Sequence, residues 1–357
     1  MPSHRPNRLL VYGANGYTGE LVAREAVRRG LAPLLAGRNM QRVAALASEL
    51  GCEGRSFALD DPAALGRGLA GAGVVLHCAG PFSRTSRPMV DACLAARAHY
   101  LDITGEIAVF EAIFRRDEEA KRAGVALVPG IGFDVVPSDA LAAELARALP
   151  GAVALDLAFA SVGGGASRGT LVTALERIES GGYERRDGRL EPLAPAAATL
   201  EVDFPGLGRR TVMAIPWGDL ATAWRTTGIG NLRTFMAVPP RSVRRLRRLR
   251  PLLPLLGLGP VKRVAQALVR RFVTGPGDAE RASGRVFLWG RARDAAGGEV
   301  VRTLSVPEGY SFTASAAVEA ARRALAGDVA PGAWTPTQAF GRALVDAVDG
   351  VRWDDPG

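Results

Sequence analysis

Short apolar runs alternate with amphipathic stretches through the first 150 residues. Residues 9–12, 33–37 and 74–79 have the continuous hydrophobic character of strands that are buried on both faces. The pattern predicts further strands and intervening helices, namely strands at 55–59, 99–103 and 124–129 and helices at 40–50, 62–70, 88–98 and 106–123. Six strands that alternate with helices predict a Rossmann-type α/β fold with a doubly wound parallel sheet.

The alternation ends near Pro150. The elements predicted beyond it are strands at 152–161, 210–215 and 232–238, a helix at 170–180, and a hairpin that joins 285–293 to 299–306. They predict an inserted α+β domain over 151–310, which we expect to bind substrate and mediate dimerisation. Helices at 312–326 and 336–348 are expected to return, so that 311–357 packs on the first domain, residues 1–150.

The bulk composition limits the class of protein. A chain of 357 residues usually forms two domains, and 48% apolar with 23% charged residues is ordinary for a globular protein. The three cysteines form no C-x-x-C pair, so we expect neither a disulfide framework nor a metal site. No apolar stretch reaches the ~18 to 20 residues that span a bilayer, and we expect a soluble cytoplasmic protein.

A glycine-rich turn follows the first predicted strand. The residues are Gly13, Ala14, Asn15, Gly16, Tyr17, Thr18 and Gly19, and a helical stretch begins within them. Glycines at this spacing permit a tight bend and a close approach of backbone to a pyrophosphate, while the first amides of the helix face the phosphates. The position between a strand and a helix predicts a dinucleotide-binding turn.

The end of the second predicted strand indicates which dinucleotide binds. Arg38 stands there, about 20 residues after Gly19, where an NAD-dependent enzyme usually has an acidic residue. A guanidinium offers paired donors to a 2′-phosphate, whereas a carboxylate repels it. Arg38, with Asn39 and Arg42, therefore favours NADP(H); the alternative is a surface arginine in an arginine-rich chain.

Candidate chemistry follows strands four, five and six, because ligands of a doubly wound sheet collect at the carboxyl ends of its strands. Backbone beside the nicotinamide ribose is expected from Cys78, Ala79, Gly80 and Pro81. Candidate catalytic residues that could orient a substrate or move a proton are Asp102, Thr104 and Asp134. Asp102 could equally be a structural carboxylate bonded to backbone amides, and Glu106 could favour the start of its own helix.

Residues 241–271 form a basic and apolar segment that contains ten residues, 241–250, dominated by arginine. It could lie on an anionic membrane surface, contact a carrier protein, or form a solvated helix pair. No aromatic residues are interleaved with these arginines, so we expect no nucleic-acid partner.

The motifs together resemble those of the saccharopine dehydrogenase-like oxidoreductases, and especially of the bacterial trans-acting enoyl reductases. The resemblance is carried by G-A-N-G-Y-T-G at 13–19, A-G-R-N at 36–39, C-A-G-P-F at 78–82, Y-L-D-I-T-G-E at 100–106 and G-F-D-V-V-P-S-D at 132–139. It implies an NADP-binding Rossmann domain, an inserted α+β domain and reduction of a carbon-carbon double bond in an acyl chain.

Three hypotheses follow. The first is an NADPH-dependent reductase of an acyl or enoyl substrate, which is a small molecule or is bound to a carrier. The second is an amino-acid dehydrogenase of the saccharopine type, and the third is a regulatory protein that binds NADP(H) without turnover. No Tyr is followed four residues later by Lys, so the acid pair of short-chain reductases is missing. Homodimerisation and the proton donor stay open.

Overall fold

The computed structural model describes residues 8–163, 182–250 and 275–354. The chain divides into two compact units, Met1–Val136 with Tyr310–Asp349 and Pro137–Gly309 with Gly350–Gly357. The boundary after Val136 lies before the predicted boundary at residue 150, because the helix Val136–Ala148 packs on the sheet of the second unit. Its Leu141 and Leu145 lie over Gly290, where a Cβ would be 3.1 Å and 2.6 Å from their methyl carbons.

The first unit contains a seven-stranded parallel sheet. Its strands are β1 (Arg8–Tyr12), β2 (Leu34–Gly37), β3 (Glu53–Ser56), β4 (Ala72–His77), β5 (His99–Asp102), β6 (Ala126–Val128) and β15 (Gly332–Ala333), in the spatial order β15-β6-β5-β4-β1-β2-β3. Every residue of β4 is buried, which agrees with its continuous apolar pattern. The predicted Rossmann-type fold is confirmed, and the returning chain adds a seventh strand beside β6.

The helices of this unit are α1 (Tyr17–Arg28), α2 (Met40–Leu50), α3 (Pro62–Gly68), α4 (Phe82–Ala96), α5 (Ile107–Phe114), α6 (Asp117–Ala123), α11 (Gly309–Ala326), α12 (Pro336–Phe340) and α13 (Ala343–Asp346). The helix predicted at 88–98 was wrong at its start, because α4 begins at Phe82 and contains Pro88. The single helix predicted at 106–123 was also wrong. Five of the eight residues of α5 are buried, whereas Ala120 is the one buried residue of α6. A single straight helix would not give one half a buried face and leave the other half exposed.

Gly341 breaks the helix that was predicted at 336–348. Its φ of 65° lies in the left-handed region, where α12 ends and the chain turns into α13. The returning helix α11 is longer and more buried. Ten of its residues are buried, and Glu319 on it pairs with Arg29, Arg322 and Arg323. Residues 310–349 of the returning chain are therefore part of the first unit, whereas residues 350–354 at the end of the predicted 311–357 segment group with the second unit.

The second unit contains a nine-stranded mixed sheet. Its elements are α7 (Val136–Ala148), β7 (Ala152–Val162), β8 (Gly182–Arg186), β9 (Arg189–Leu193), β10 (Thr199–Phe204), β11 (Gly208–Ala214), α8 (Asp219–Thr227), β12 (Asn231–Ala237), α9 (Pro240–Leu249), α10 (Asp278–Ser283), β13 (Arg285–Asp294), β14 (Glu299–Pro307) and β16 (Arg352–Asp354). The main path is β10-β11-β12-β7-β13-β14-β16. The predicted hairpin is confirmed as β13 and β14, whereas the predicted helix at 170–180 lies outside the described residues.

The core of the second sheet lies between β7, β13 and the β10–β11 hairpin. Phe204 and Phe235 are fully buried there, with Ala158, Ala160 and Trp289 beside them. Among the described helices, none is both long enough and apolar enough to cross a membrane.

Candidate functional site

The turn between β1 and α1 leaves no room for side chains at two of its glycines. Gly13 has φ +83°, and a Cβ on it would lie 2.9 Å from the Ala79 nitrogen. A Cβ on Gly19 would lie 2.1 Å from the Gly13 carbonyl oxygen. Both positions therefore require glycine. The turn is closed by the Gly16 amide, which donates to the Gly13 carbonyl at 2.9 Å.

The N-terminal end of helix α1 lies at this turn and is exposed. Gly16 is the exposed N-cap, and no side chain caps the helix. The first amides of an α-helix have no acceptor within the helix, so this end carries donors and the positive end of the helix dipole. Asn15 continues the surface toward β2, because its Oδ1 lies 2.5 Å from where a Cβ on Gly37 would be. The predicted residues 13–19 thus form a cradle that fits a pyrophosphate.

Two exposed arginines follow β2, Arg38 directly after the strand and Arg42 in the first turn of α2. Arg38 and Arg42 have no ion pair with any described carboxylate, and both are exposed. Asn39 accepts a hydrogen bond from the Arg42 amide at 3.0 Å and thereby caps α2. Burial raises the pKa of Tyr12 to about 12, while the charge of Arg38 lowers it, so the guanidinium is close to the end of β1. This arrangement offers paired donors to a 2′-phosphate.

The loop after β4 lies against the glycine turn. Cys78 donates its amide to the Tyr12 carbonyl at 2.8 Å, and the Gly80–Pro81 peptide is cis. The Thr85 hydroxyl donates to the Ala79 carbonyl at 2.7 Å, and His77 Nε2 lies 3.0 Å from the same hydroxyl oxygen. Burial lowers the pKa of His77 to about 3, so its ring is neutral. The predicted loop 78–81 is therefore fixed beside the turn by interior hydrogen bonds.

Asp102 is fully buried at the end of β5. Its Oδ1 accepts from the Thr104 amide at 2.9 Å and the Gly130 amide at 2.8 Å, and its Oδ2 accepts from the Tyr100 hydroxyl at 2.7 Å. Burial raises the pKa of Asp102 to about 6, although these three hydrogen bonds lower it. The carboxylate joins the loops that follow β5 and β6, which is the structural arrangement that the sequence left open as an alternative.

Thr104 and Glu106 also bond to backbone amides. Thr104 is fully buried, and its hydroxyl oxygen accepts from the Glu106 amide at 3.1 Å. The Glu106 carboxylate accepts from the amides of Phe82 at 2.7 Å and Ser83 at 3.2 Å. It therefore caps α4 from a distance, and its side chain makes no capping hydrogen bond to its own helix. Sequence reasoning missed this role, because no local signal connects residue 106 with residue 82.

Asp134 differs from these carboxylates. It is partly exposed, and no described residue donates a hydrogen bond to its carboxylate. Its Oδ2 lies 2.3 Å from the position that a Cβ on Gly105 would take, so a side chain at residue 105 would displace this carboxylate. Burial raises the pKa of Asp134 to about 6. A carboxyl group in this state can be protonated near neutral pH and can give up its proton.

The returning helix α11 contributes groups that the sequence did not indicate. The Thr313 hydroxyl accepts from the Phe133 amide at 2.9 Å, next to Asp134. Tyr310 packs edge to face on Tyr17, with 5.0 Å between the ring centroids. Among the described residues no group of three His, Cys, Asp or Glu side chains could hold a metal ion.

Residues 9–128 match the family of the saccharopine dehydrogenase NADP binding domain. This part of the chain is therefore similar to saccharopine dehydrogenase-type NADP-binding domains. The match confirms the predicted resemblance and the predicted cofactor, NADP(H), and the cradle without Cβ atoms at Gly13 and Gly19 fits that group. The family model describes an NADP-binding domain, and the relatives are named as reductases or oxidoreductases.

Two curated relatives match the chain in part. A Mycobacterium tuberculosis protein with a provisional trans-acting enoyl reductase name is 35% identical over 48% of this chain and 44% of its own length. The human saccharopine dehydrogenase-like oxidoreductase is 32% identical over 38% of this chain and 36% of its own length. The chain thus spans less than half the length of these relatives.

A solved structure shares the fold across almost the whole chain. Saccharopine dehydrogenase (L-Glu forming) from Saccharomyces cerevisiae has a TM-score of 0.66 and 15% identity, and the match covers 98% of this chain and 100% of that one. At this identity the likeness shows the architecture, a Rossmann-like sheet with a second sheet domain.

Proposed function

We propose that the protein is an NADPH-dependent reductase of an enoyl or other acyl substrate of the lipid or polyketide type. The observation that carries the proposal is Asp134, a carboxylate without a described hydrogen-bond donor, in the unit whose residues 9–128 match an NADP-binding domain. Relatives named as trans-acting enoyl reductases support the choice of substrate class.

In this proposal the glycine turn 13–19 holds the pyrophosphate, and Arg38 with Arg42 binds the 2′-phosphate. Asn39 positions Arg42 by capping α2, and the 78–81 loop would contact the nicotinamide ribose. The nicotinamide cofactor, when bound, would supply the hydride for one carbon of the substrate double bond. Protonated Asp134 gives its proton to the other carbon and leaves as a carboxylate, so that the products are the saturated acyl chain and NADP⁺.

Asp102 and Thr104 act as positioning residues in this scheme. Asp102 holds the Gly130 amide, and therefore the loop that carries Asp134, against the end of β5. Thr104 fixes the turn that leads to Glu106. Neither side chain is exposed, so both act through the loops they fix.

The test is oxidation of NADPH in the presence of a panel of enoyl thioesters, with 2-oxo acids plus amino acids as a second arm. We expect turnover with at least one enoyl thioester and with none of the second set. Turnover with an oxo acid and an amino acid would support the saccharopine-type alternative instead. NADPH binding by fluorescence without turnover in either arm would support a binding protein.

Helix α9 is the proposed contact with a carrier protein or a membrane. Arg241, Arg244, Arg245 and Arg248 are exposed on it and pair with no described carboxylate, while Val243 is buried. The continuation of the predicted segment, 251–271, lies outside the described residues. Two assays distinguish these partners: cosedimentation with phosphatidylglycerol vesicles tests the membrane, and a pull-down with acyl carrier protein tests the carrier. Each assay compares the wild type with a variant in which the four arginines are changed to serine.

A further inference from the structure

Three arginines of the second unit converge on one buried carboxylate. Asp156 on β7 is 2% exposed. Its Oδ1 lies 2.9 Å from Arg233 Nε, and its Oδ2 lies 2.9 Å from Arg291 Nη2 and 3.4 Å from Arg293 Nη2. The register explains the convergence, because Asp156 stands opposite Arg233 on β12 and Arg291 on β13. Arg293 follows Arg291 by two residues and so lies on the same face.

The cluster holds more positive than negative charge. Asp156 neutralises one of the three guanidinium groups. Glu299 is a further carboxylate near the cluster, but it is about half exposed and 3.6 Å from Arg291. The three guanidinium groups share one carboxylate, so their positive charges are close enough to repel one another. A single arginine would be enough to neutralise Asp156. An anion from outside the protein would offset the excess.

The arginines also keep donors that have no described acceptor. The Nε atoms of Arg291 and Arg293 are buried and have no hydrogen-bond partner among the described residues. The side chains are 30%, 22% and 41% exposed for Arg233, Arg291 and Arg293, so part of each reaches solvent. Arg233 lies over the Phe235 ring and Arg291 over the Trp289 ring, each 5.4 Å from the centroid, which helps to fix the guanidinium planes.

We propose that Arg233, Arg291 and Arg293 form a binding site for a dianionic phosphate group, either inorganic phosphate or the phosphate of a monoester. Apart from the half-exposed Glu299, which is 3.6 Å from Arg291, Asp156 leaves two positive charges that a dianion balances, whereas a carboxylate balances only one. Guanidinium forks match the spacing of phosphate oxygens. The proposal of this site does not depend on the proposed reductase chemistry.

Isothermal titration of the full chain with inorganic phosphate at constant ionic strength tests the site. Because Arg38 is itself proposed to bind a phosphate, wild type and Arg38→Ala are titrated in parallel, and we expect saturable binding in both. Arg293→Gln should weaken the binding roughly tenfold, since it removes a charge-assisted hydrogen bond. The matched control is Arg209→Gln, an exposed arginine of the same unit 3.7 Å from Glu201, and it should stay within about twofold.

Parallel titrations with glycerol 3-phosphate and acetate identify the ligand. Tighter binding of glycerol 3-phosphate supports a monoester site, and tighter binding of inorganic phosphate supports a site for the free ion. Acetate that binds as tightly as phosphate would overturn the proposal. So would the absence of saturable binding, its loss in Arg38→Ala, or equal weakening by Arg209→Gln.

A second variant covers the case in which Arg293→Gln does not fold. Arg293→Lys keeps the charge beside Asp156 but removes the planar fork, and we expect a smaller loss of phosphate affinity in the same direction. Unchanged affinity in this variant would contradict a role for the fork. Neither result affects the NADPH oxidation assay, so failure of this site is distinct from failure of the proposed reductase.

Discussion

Buried carboxylates that follow β5 in the first unit and the buried carboxylate on β7 of the second unit are stabilised in different ways. In the first unit, Asp102 accepts hydrogen bonds from two backbone amides and one hydroxyl, and Glu106 accepts from two amides at the start of α4. In the second unit, Asp156 is surrounded by guanidinium groups from the neighbouring strands β12 and β13. Loops at strand ends provide the donors in one case, and side chains on a sheet face provide them in the other.

The difference determines which polar groups stay available for a ligand. Amides that bond Asp102 and Glu106 are neutral, so the first unit gains no excess charge there, and its candidate chemistry lies in Asp134 and the helix end at Gly16. Guanidinium groups that bond Asp156 each carry a full charge, so the second unit is left with cations. The following variants test this contrast, from the largest expected effect to the smallest.

Asp134→Asn should lower the rate of NADPH oxidation about 10²- to 10⁴-fold, because it removes the proposed proton donor. Steady-state kinetics with a reactive enoyl thioester measure the change. In the wild type the rate should be level below the Asp134 pKa of about 6 and fall as pH rises through it, because only the protonated form donates. A variant with the wild-type rate and pH profile would exclude Asp134 as the donor.

Asp156→Asn should destabilise the second unit by about 3 kcal/mol, because it leaves three guanidinium groups without their buried anion. Hydrogen exchange of β7 and β13 should speed up, and added salt should restore part of the protection by screening the arginines. Asp203→Asn on the exposed part of β10 is the matched control and should change little. Slower or unchanged exchange in Asp156→Asn would show that the arginine cluster does not depend on this carboxylate.

Arg38→Ala should weaken NADPH binding about 10- to 100-fold, since it removes charge-assisted hydrogen bonds to the 2′-phosphate. NADH lacks that phosphate, so its affinity should stay nearly constant. Fluorescence titration with both nucleotides measures the difference. Arg122→Ala, an exposed arginine of α6, serves as the control. Equal loss of NADPH and NADH affinity would contradict the assigned role of Arg38.

Glu106→Gln should destabilise the first unit by about 1 kcal/mol, because the neutral amide is a weaker cap for α4 and does not complement the helix dipole. The exchange of amides at the start of α4 reports the change. Salt should have little influence, in contrast to Asp156→Asn, since the donors are backbone amides. Glu118→Gln on the surface of α6 is the control, and an equal effect there would remove the assignment of Glu106 as a cap.

Much of the candidate cofactor site could be predicted from the sequence, because its parts are local. The glycine turn 13–19 has a spacing set by backbone sterics, and Arg38 follows it at the usual interval at the end of β2. The helix boundaries of α2 were also predicted correctly, because Asn39 caps its start and Gly51 ends it. Such signals lie within a few residues of the structure they determine.

The rest was decided by contacts between distant parts of the chain. The start of α4 depends on Glu106, more than 20 residues later, and the loop that carries Asp134 depends on Asp102. The convergence of Arg233 and Arg291 on Asp156 depends on the register of β12 and β13 against β7. The sequence by itself determined the local turns, the alternation of strands and helices and the cofactor class. Only the tertiary structure determined which charges meet, because strand register and loop contacts arise from packing between segments that no local pattern connects.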